Sequence, residues 1–168
     1  MIKESISNNI NNDIIDLDLS ITQKKKFRFG NDDNRIVEVN TSDMNLMQRV
    51  NTAYPKLQDL QTKASKLTEG LDVDDNETEH GALGNLATMA ERLSAVDAEM
   101  RELLDYMFNA PISAAAAPDG SMYDPFGGSF RYEHIIAVMM SQYEKNLQSE
   151  FSKMEKQLKK HTEKYTRR

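Results

Sequence analysis

The chain has 168 residues, enough for one compact core, and 21 basic against 27 acidic residues leave a net charge of −6, which sets the whole molecule against nucleic acid and anionic membranes. Its 39% hydrophobic, 7% aromatic and 29% charged content fits an elongated helical protein with a thin core. The absence of cysteine excludes a disulfide frame and a thiolate metal site, and no apolar run approaches the roughly 20 residues of a membrane span, so a soluble cytoplasmic protein is expected.

Residues 1–13 are polar, Asn-rich and without period, the composition of a mobile N-terminal tail. From Ile14 the pattern alternates, with Ile15, Leu17, Leu19 and Ile21 on one side and Asp16, Asp18 and Ser20 on the other, as in a half-buried strand. Phe27 and Phe29 follow the basic run Lys24 to Lys26. The turn-forming stretch Gly30 to Asn34 then leads to a further strand over Arg35 to Val39. Residues 14–40 therefore read as a β hairpin or three-stranded meander, too small to stand without helices beneath it. Lysines on a strand edge discourage edge-to-edge pairing; the other use of Lys24 to Lys26 is a phosphate or lipid contact.

The remaining chain, 41–168, reads as a helical body. Thr41, Ser42 and Asp43 are competent N-caps for a helix with Met47, Val50, Tyr54, Leu57, Leu60, Ala64 and Leu67 on one face. Pro55 should kink that helix or split it in two, and Gly70 is placed to end it. An acidic linker, 71–80, resembles a calcium loop at Asp72, Asp74 and Asn76. It lacks the required glycine at Glu77 and the bidentate glutamate at Leu83, so a capping box from Asn76 to Glu79 is the better reading. Beyond Gly81 and Gly84, which weaken the first turns, Leu86, Met89, Ala90, Leu93, Val96, Met100, Leu103, Leu104 and Met107 define an amphipathic helix.

A long loop, 109–130, carries three prolines (Pro111, Pro118 and Pro125), an Asp119-Gly120 turn and Gly127-Gly128. Loops of this length in a compact domain are functional or mobile, and Met122, Tyr123, Phe126 and Phe130 either anchor it on the bundle or insert into a partner. The C-terminal helix, 131–165, places Tyr132, Ile136, Met140, Tyr143, Leu147, Phe151, Met154, Leu158 and Tyr165 on one face. The successive steps of four at Leu147 and Phe151 locally follow an eleven-residue period, which argues against a long regular coiled coil. That face either joins the core, forms an oligomer seam or docks another protein. Its end, from Lys153 to Arg168, is cationic, which complements the helix dipole or attracts an acidic partner.

The fold class that follows is mainly α with a small N-terminal β hairpin or meander (α+β), a helical bundle with a long C-terminal helix. The faces of Leu86 to Met107 and Ile136 to Leu158 are expected to pack as antiparallel helices. Catalysis has no constellation to carry it. His80, His134 and His161 have no ligand-spaced partner, and no nucleophile elbow, phosphate loop or dinucleotide fingerprint occurs, so no enzyme, metal or cofactor is expected.

Three features in order, the hairpin FRFGNDDNRIVEVNTSD, a helix ending LLDYMFNAP before a Gly/Asp-rich loop, and a final helix beginning FRYEHIIAVM, resemble the tail assembly chaperones of long-tailed bacteriophages. Asp105, Tyr106, Met107 and Phe108 carry the acidic-aromatic phrase of that family, and the similarity spans roughly Phe27 to Tyr143. The resemblance implies a non-enzymatic protein of the host cytoplasm that binds the helical tape measure protein and helps recruit tail tube subunits. Methionine-rich faces suit such a client because they repack against successive apolar stripes. The residues expected to meet it are Met100, Met107, Phe108, Tyr123, Phe126, Phe130, Leu147, Phe151, Met154 and Leu158. The alternative is a structural or adaptor protein that stays in a viral or other assembly through its last helix, which also leaves room for a homo-oligomer.

Overall fold

The structure is a computed structural model and describes residues 24–71 and 81–166. The 1–13 tail, the alternation from Ile14 to Ile21, the calcium-like positions and the Asn76–Glu79 box lie outside the described residues. The fold is mainly α with a small N-terminal β hairpin.

Strands β1 (Lys24–Arg28) and β2 (Ile36–Asn40) pair antiparallel, with Phe27 opposite Val37 and Lys26 opposite Glu38. The period of two puts Val37 and Val39 in the core and leaves Ile36 and Glu38 outside. The basic run lies within β1 itself rather than ahead of it, and Lys24, Lys25 and Lys26 are exposed. Between the strands the chain passes through left-handed Gly30 and Asn31, while Asp32 accepts the N–H of Asn34.

Helix α1 (Leu46–Thr68) runs through Pro55 as one helix rather than two. Pro55 and Asn51 both face solvent, so the carbonyl of Asn51, which the ring cannot serve, is open to water. The cap position falls on Asn45, whose side chain makes no cap bond, rather than on Thr41, Ser42 or Asp43. Asp43 orders the turn just ahead of it, Oδ1 accepting the N–H of Asn45 at 2.9 Å and its carbonyl that of Leu46. Gly70 ends the helix in the left-handed conformation (φ 77°), as its sequence position predicts.

Helix α2 (Gly81–Phe108) folds back antiparallel along α1. Arg92 donates to the carbonyl of Leu67, Lys63 pairs with Glu99 at 3.3 Å, and Arg49 Nε donates to the carbonyl of Met107 at 3.0 Å, so the order of partners reverses from end to end. Leu93, Val96, Met100, Leu103, Leu104, Met107 and Phe108 are buried. Leu83 and Leu86, nearer the start, are exposed.

The chain then makes a short helix α3 (Ile112–Ala116) and a hairpin of β3 (Pro125–Phe126) and β4 (Ser129–Phe130). Gly127 and Gly128 both have positive φ, the requirement of a two-residue type I′ turn. Helix α4 (Arg131–Thr166) completes the body, with Tyr132, Ile135, Met139, Tyr143 and Asn146 as its buried row. The expected row is thus displaced, because Ile136, Met140 and Leu147 lie beside the buried one and are only half covered.

The direction of α4 corrects the expected antiparallel pairing with α2. Tyr132 lies beside Leu93 and Gln61, whereas Tyr143 stacks near Phe108 with ring centroids 6.2 Å apart and shares a groove with Leu46. Helix α4 therefore runs parallel to α2 and antiparallel to α1. The cause is the 109–130 segment, which retraces the last three turns of α2 before α4 starts.

Candidate partner-binding surfaces

Three residues spaced by four on one side of α2 hold that returning segment. Asp105 accepts both the N–H and the hydroxyl of Ser113, at 2.8 and 2.9 Å. Arg101 donates to the carbonyls of Ser113, Ala117 and Gly120 while its Nε meets Asp97 Oδ2 at 2.6 Å. Asp97 Oδ1 accepts the Ser121 hydroxyl at 2.8 Å and the Met122 N–H at 2.6 Å. Burial pushes the Asp97 carboxyl up, but the hydrogen bonds from Arg101, Ser121 and Met122 outweigh it, so its pKa lies below the usual value.

The segment also closes on itself. Asp124 pairs with Arg131 at 3.1 Å and accepts the Ser121 N–H at 3.0 Å, and Tyr132 donates its N–H to the Met122 carbonyl. Gly120 sits where a Cβ would stand 2.5 Å from Asp124 Oδ2 and 2.7 Å from Arg131 Nη1, which explains the glycine. Met122 and Tyr123 enter the core, where Tyr123 meets Phe130 and Tyr132 edge to face at 5.5 and 5.3 Å. This stretch is core, held by a polar row that reads in sequence as an ordinary solvated helix face. The spacing of Asp97, Arg101 and Asp105 was the available signal.

The expected partner-binding residues consequently divide. Met100, Met107, Phe108 and Tyr123 are buried and belong to the core, and a partner could reach them only by opening it. Phe130 is half-buried against Tyr123 and Tyr132. Phe126 is 49% exposed and rests on His134 with centroids 4.7 Å apart. Leu147 is half-buried, and Phe151, Met154 and Leu158 are 51, 54 and 65% exposed.

Two apolar surfaces result. A groove of about 390 Å³ runs between the β1–β2 hairpin and α4, floored by Phe27, Phe29, Ile135 and Met139 and edged by Phe126 and Val138. Arg28, Arg35, Arg131 and His134 stand around it. Arg35 also donates to the carbonyls of Ala115 and Ala116, which ties the hairpin to α3. The second surface begins where Leu46, Met47, Met140, Leu147 and Phe151 line an open groove of about 590 Å³ and continues along α4 beyond the body. Every described side chain from Phe151 on is exposed, so about 24 Å of helix projects, at 1.5 Å per residue.

The lysines of that projection do not border its apolar stripe. At 3.6 residues per turn Lys153, Lys156 and Lys160 fall on the opposite side from Phe151, Met154 and Leu158. The stripe is edged instead by Gln148 and Glu155 on one flank and by Glu150 and Gln157 on the other. Among the described residues no group of three or more acidic or histidine side chains is placed to hold a metal, and no helix is long and apolar enough to cross a membrane.

No protein-family model, curated protein or solved structure matches the chain. The fold and its surfaces define a small helical protein that, among the described residues, leaves these two apolar faces open on a highly charged exterior.

Proposed function

We propose that the protein is a non-enzymatic assembly chaperone that holds an apolar helical client, and that the client is the tape measure protein of a long-tailed phage, with recruitment of tail tube subunits as a second duty. The observation that carries the reading is the hairpin–α4 groove. It is apolar at its floor, and its rim carries arginines and a histidine, a chemistry suited to a helix that presents apolar residues flanked by carboxylates. The exposure of Phe126 and Val138 at its edge, at 49 and 43%, leaves two side chains free to reach such a helix. The resemblance at Asp105 to Phe108 supports the phage assignment, although Met107 and Phe108 serve the core and Asp105 the Ser113 contact here, which leaves Tyr106 exposed.

The reading expects a very long helical protein encoded just downstream of this chain, and the test is co-expression with a protein of that kind. The client should stay soluble and co-purify with the unaltered chain, and Val138→Glu should abolish both without altering the chaperone's own melting. Equal recovery of client with Val138→Glu would remove the groove from the account. Recovery of the protein in finished particles would favour the adaptor reading, in which the projecting part of α4 is a permanent seam.

A further inference from the structure

We infer that the projecting part of α4 is a self-association seam, and that its occupant is the same segment of a second copy, laid antiparallel. The eleven-residue step begins at Tyr143, where α4 still packs on the body, passes the half-buried Leu147 and ends at the exposed Phe151. From Leu147 outward the spacing is four, three, four, through Phe151, Met154 and Leu158, which is the heptad rhythm of a two-helix seam. Lys153, Lys156, Lys159 and Lys160 occupy the outer positions of that rhythm, where a paired helix keeps its solvated charges. Lys153–Glu150 at 2.6 Å and Lys159–Glu155 at 3.0 Å run along the helix surface rather than across the stripe.

The flanks choose the orientation. In a parallel pair Glu150 of one copy would face Glu155 of the other, twice per dimer, setting like charges together beside an apolar seam. Antiparallel, with Leu147 opposite Leu158 of the second copy and Phe151 opposite its Met154, the flanking pairs become Gln148 with Glu155 and Glu150 with Gln157. Each is an amide against a carboxylate, which can hydrogen-bond without repulsion. In the same register the helix end of the second copy reaches the open groove formed by Leu46, Met47 and Met140. Two heptads per chain make a small interface, so the dimer is weak and concentration-dependent. This inference goes beyond the client reading and stands without it, since the seam is distinct from the hairpin groove.

Light scattering of the full chain over a concentration series should show the mass rising from 19.2 kDa toward twice that value. Leu158→Glu should weaken association by about a hundredfold or more, since each seam then buries a carboxylate without a partner. Its melting curve at low concentration should not move, because Leu158 lies outside the body. A mass of one chain at every concentration overturns the proposal, as does a dimer that Leu158→Glu leaves intact. Orientation is read by cross-linking, which the absence of native cysteine makes clean. An equal mixture of Leu147→Cys and Leu158→Cys chains should form a mixed disulfide, and Leu158→Cys alone should form none. A disulfide in Leu158→Cys alone would show a parallel pair and overturn the arrangement.

Discussion

The backbone N–H of Met122 donates to Oδ1 of Asp97 at 2.6 Å, across 25 positions of the chain. Through that contact the segment after α2 is carried back along the helix it has just left. Helix α4 starts beside the middle of α2 rather than at its end, which is why the two run parallel and why α4 outlasts its support.

Asp97→Ala should destabilise the protein by about 2–3 kcal/mol, since it removes the acceptor of three hydrogen bonds and leaves Arg101 without its carboxylate. The folded pKa of Asp97 is depressed, and so is that of Asp43, where burial is outweighed by hydrogen bonds from Arg49 and Asn45. A depressed carboxylate pKa contributes stability above its unfolded value of 3.8 and loses it as pH falls through the folded pKa. The Asp97→Ala difference measured by denaturant unfolding should therefore be full at pH 7 and shrink below pH 3.8.

The aromatics of the returning segment should separate under substitution. Tyr123→Ser should cost about 3–5 kcal/mol, because it empties a core position bounded by Phe130 and Tyr132. Phe126→Ser should stay within about 0.5 kcal/mol, as a half-exposed position does, and weaken client capture instead. Calorimetry of the two variants beside the parent checks both values.

Tyr143 carries a buried hydroxyl with no hydrogen-bond partner among the described residues. Tyr143→Phe should be neutral or stabilising by about 1 kcal/mol, since it removes a polar group whose desolvation nothing repays. Burial is also the main reason that the phenol is pushed up to about 12. Because the folded phenol ionises later than the unfolded one, stability is unaffected by this group below pH 10 and falls as pH rises from there through the folded pKa. Burial raises Tyr123 and Tyr132 as well, so the ultraviolet titration should show several late phenols, of which Tyr143→Phe removes one.

Leu93→Asp should leave no cooperative thermal transition, because Leu93 is 4% exposed and lies against α1, Phe130 of β4 and Tyr132 at the start of α4. The sequence foretells this from the face of α2 alone, although it assigns that face to α4 where α1 is the main partner.

Helix positions and the hairpin were legible because periodicity records burial: Val37 and Val39 alternate inward, and Leu93 to Met107 step by three and four. Helix direction was not, since it depends on Asp97, Arg101 and Asp105, whose charges look solvated until their carbonyl and N–H partners are known. The buried and half-buried rows of α4 differ by a single position, Ile135 against Ile136 and Met139 against Met140, and period cannot separate neighbours that are both apolar. The exposed stripe at Phe151, Met154 and Leu158 was visible in sequence as apolar. Its lack of cover became apparent only once the body was seen to end near Asn146.

Amide hydrogen exchange of the full chain tests most directly whether the 109–130 segment is core rather than a detachable loop. Met122, Arg131 and Tyr132 each donate their N–H within the protein, to Asp97, Asp124 and Met122 respectively. Their protection should match that of the α1–α2 core and collapse together in Asp97→Ala. Fast exchange at all three amides in the unaltered protein, with α2 still protected, would contradict the account.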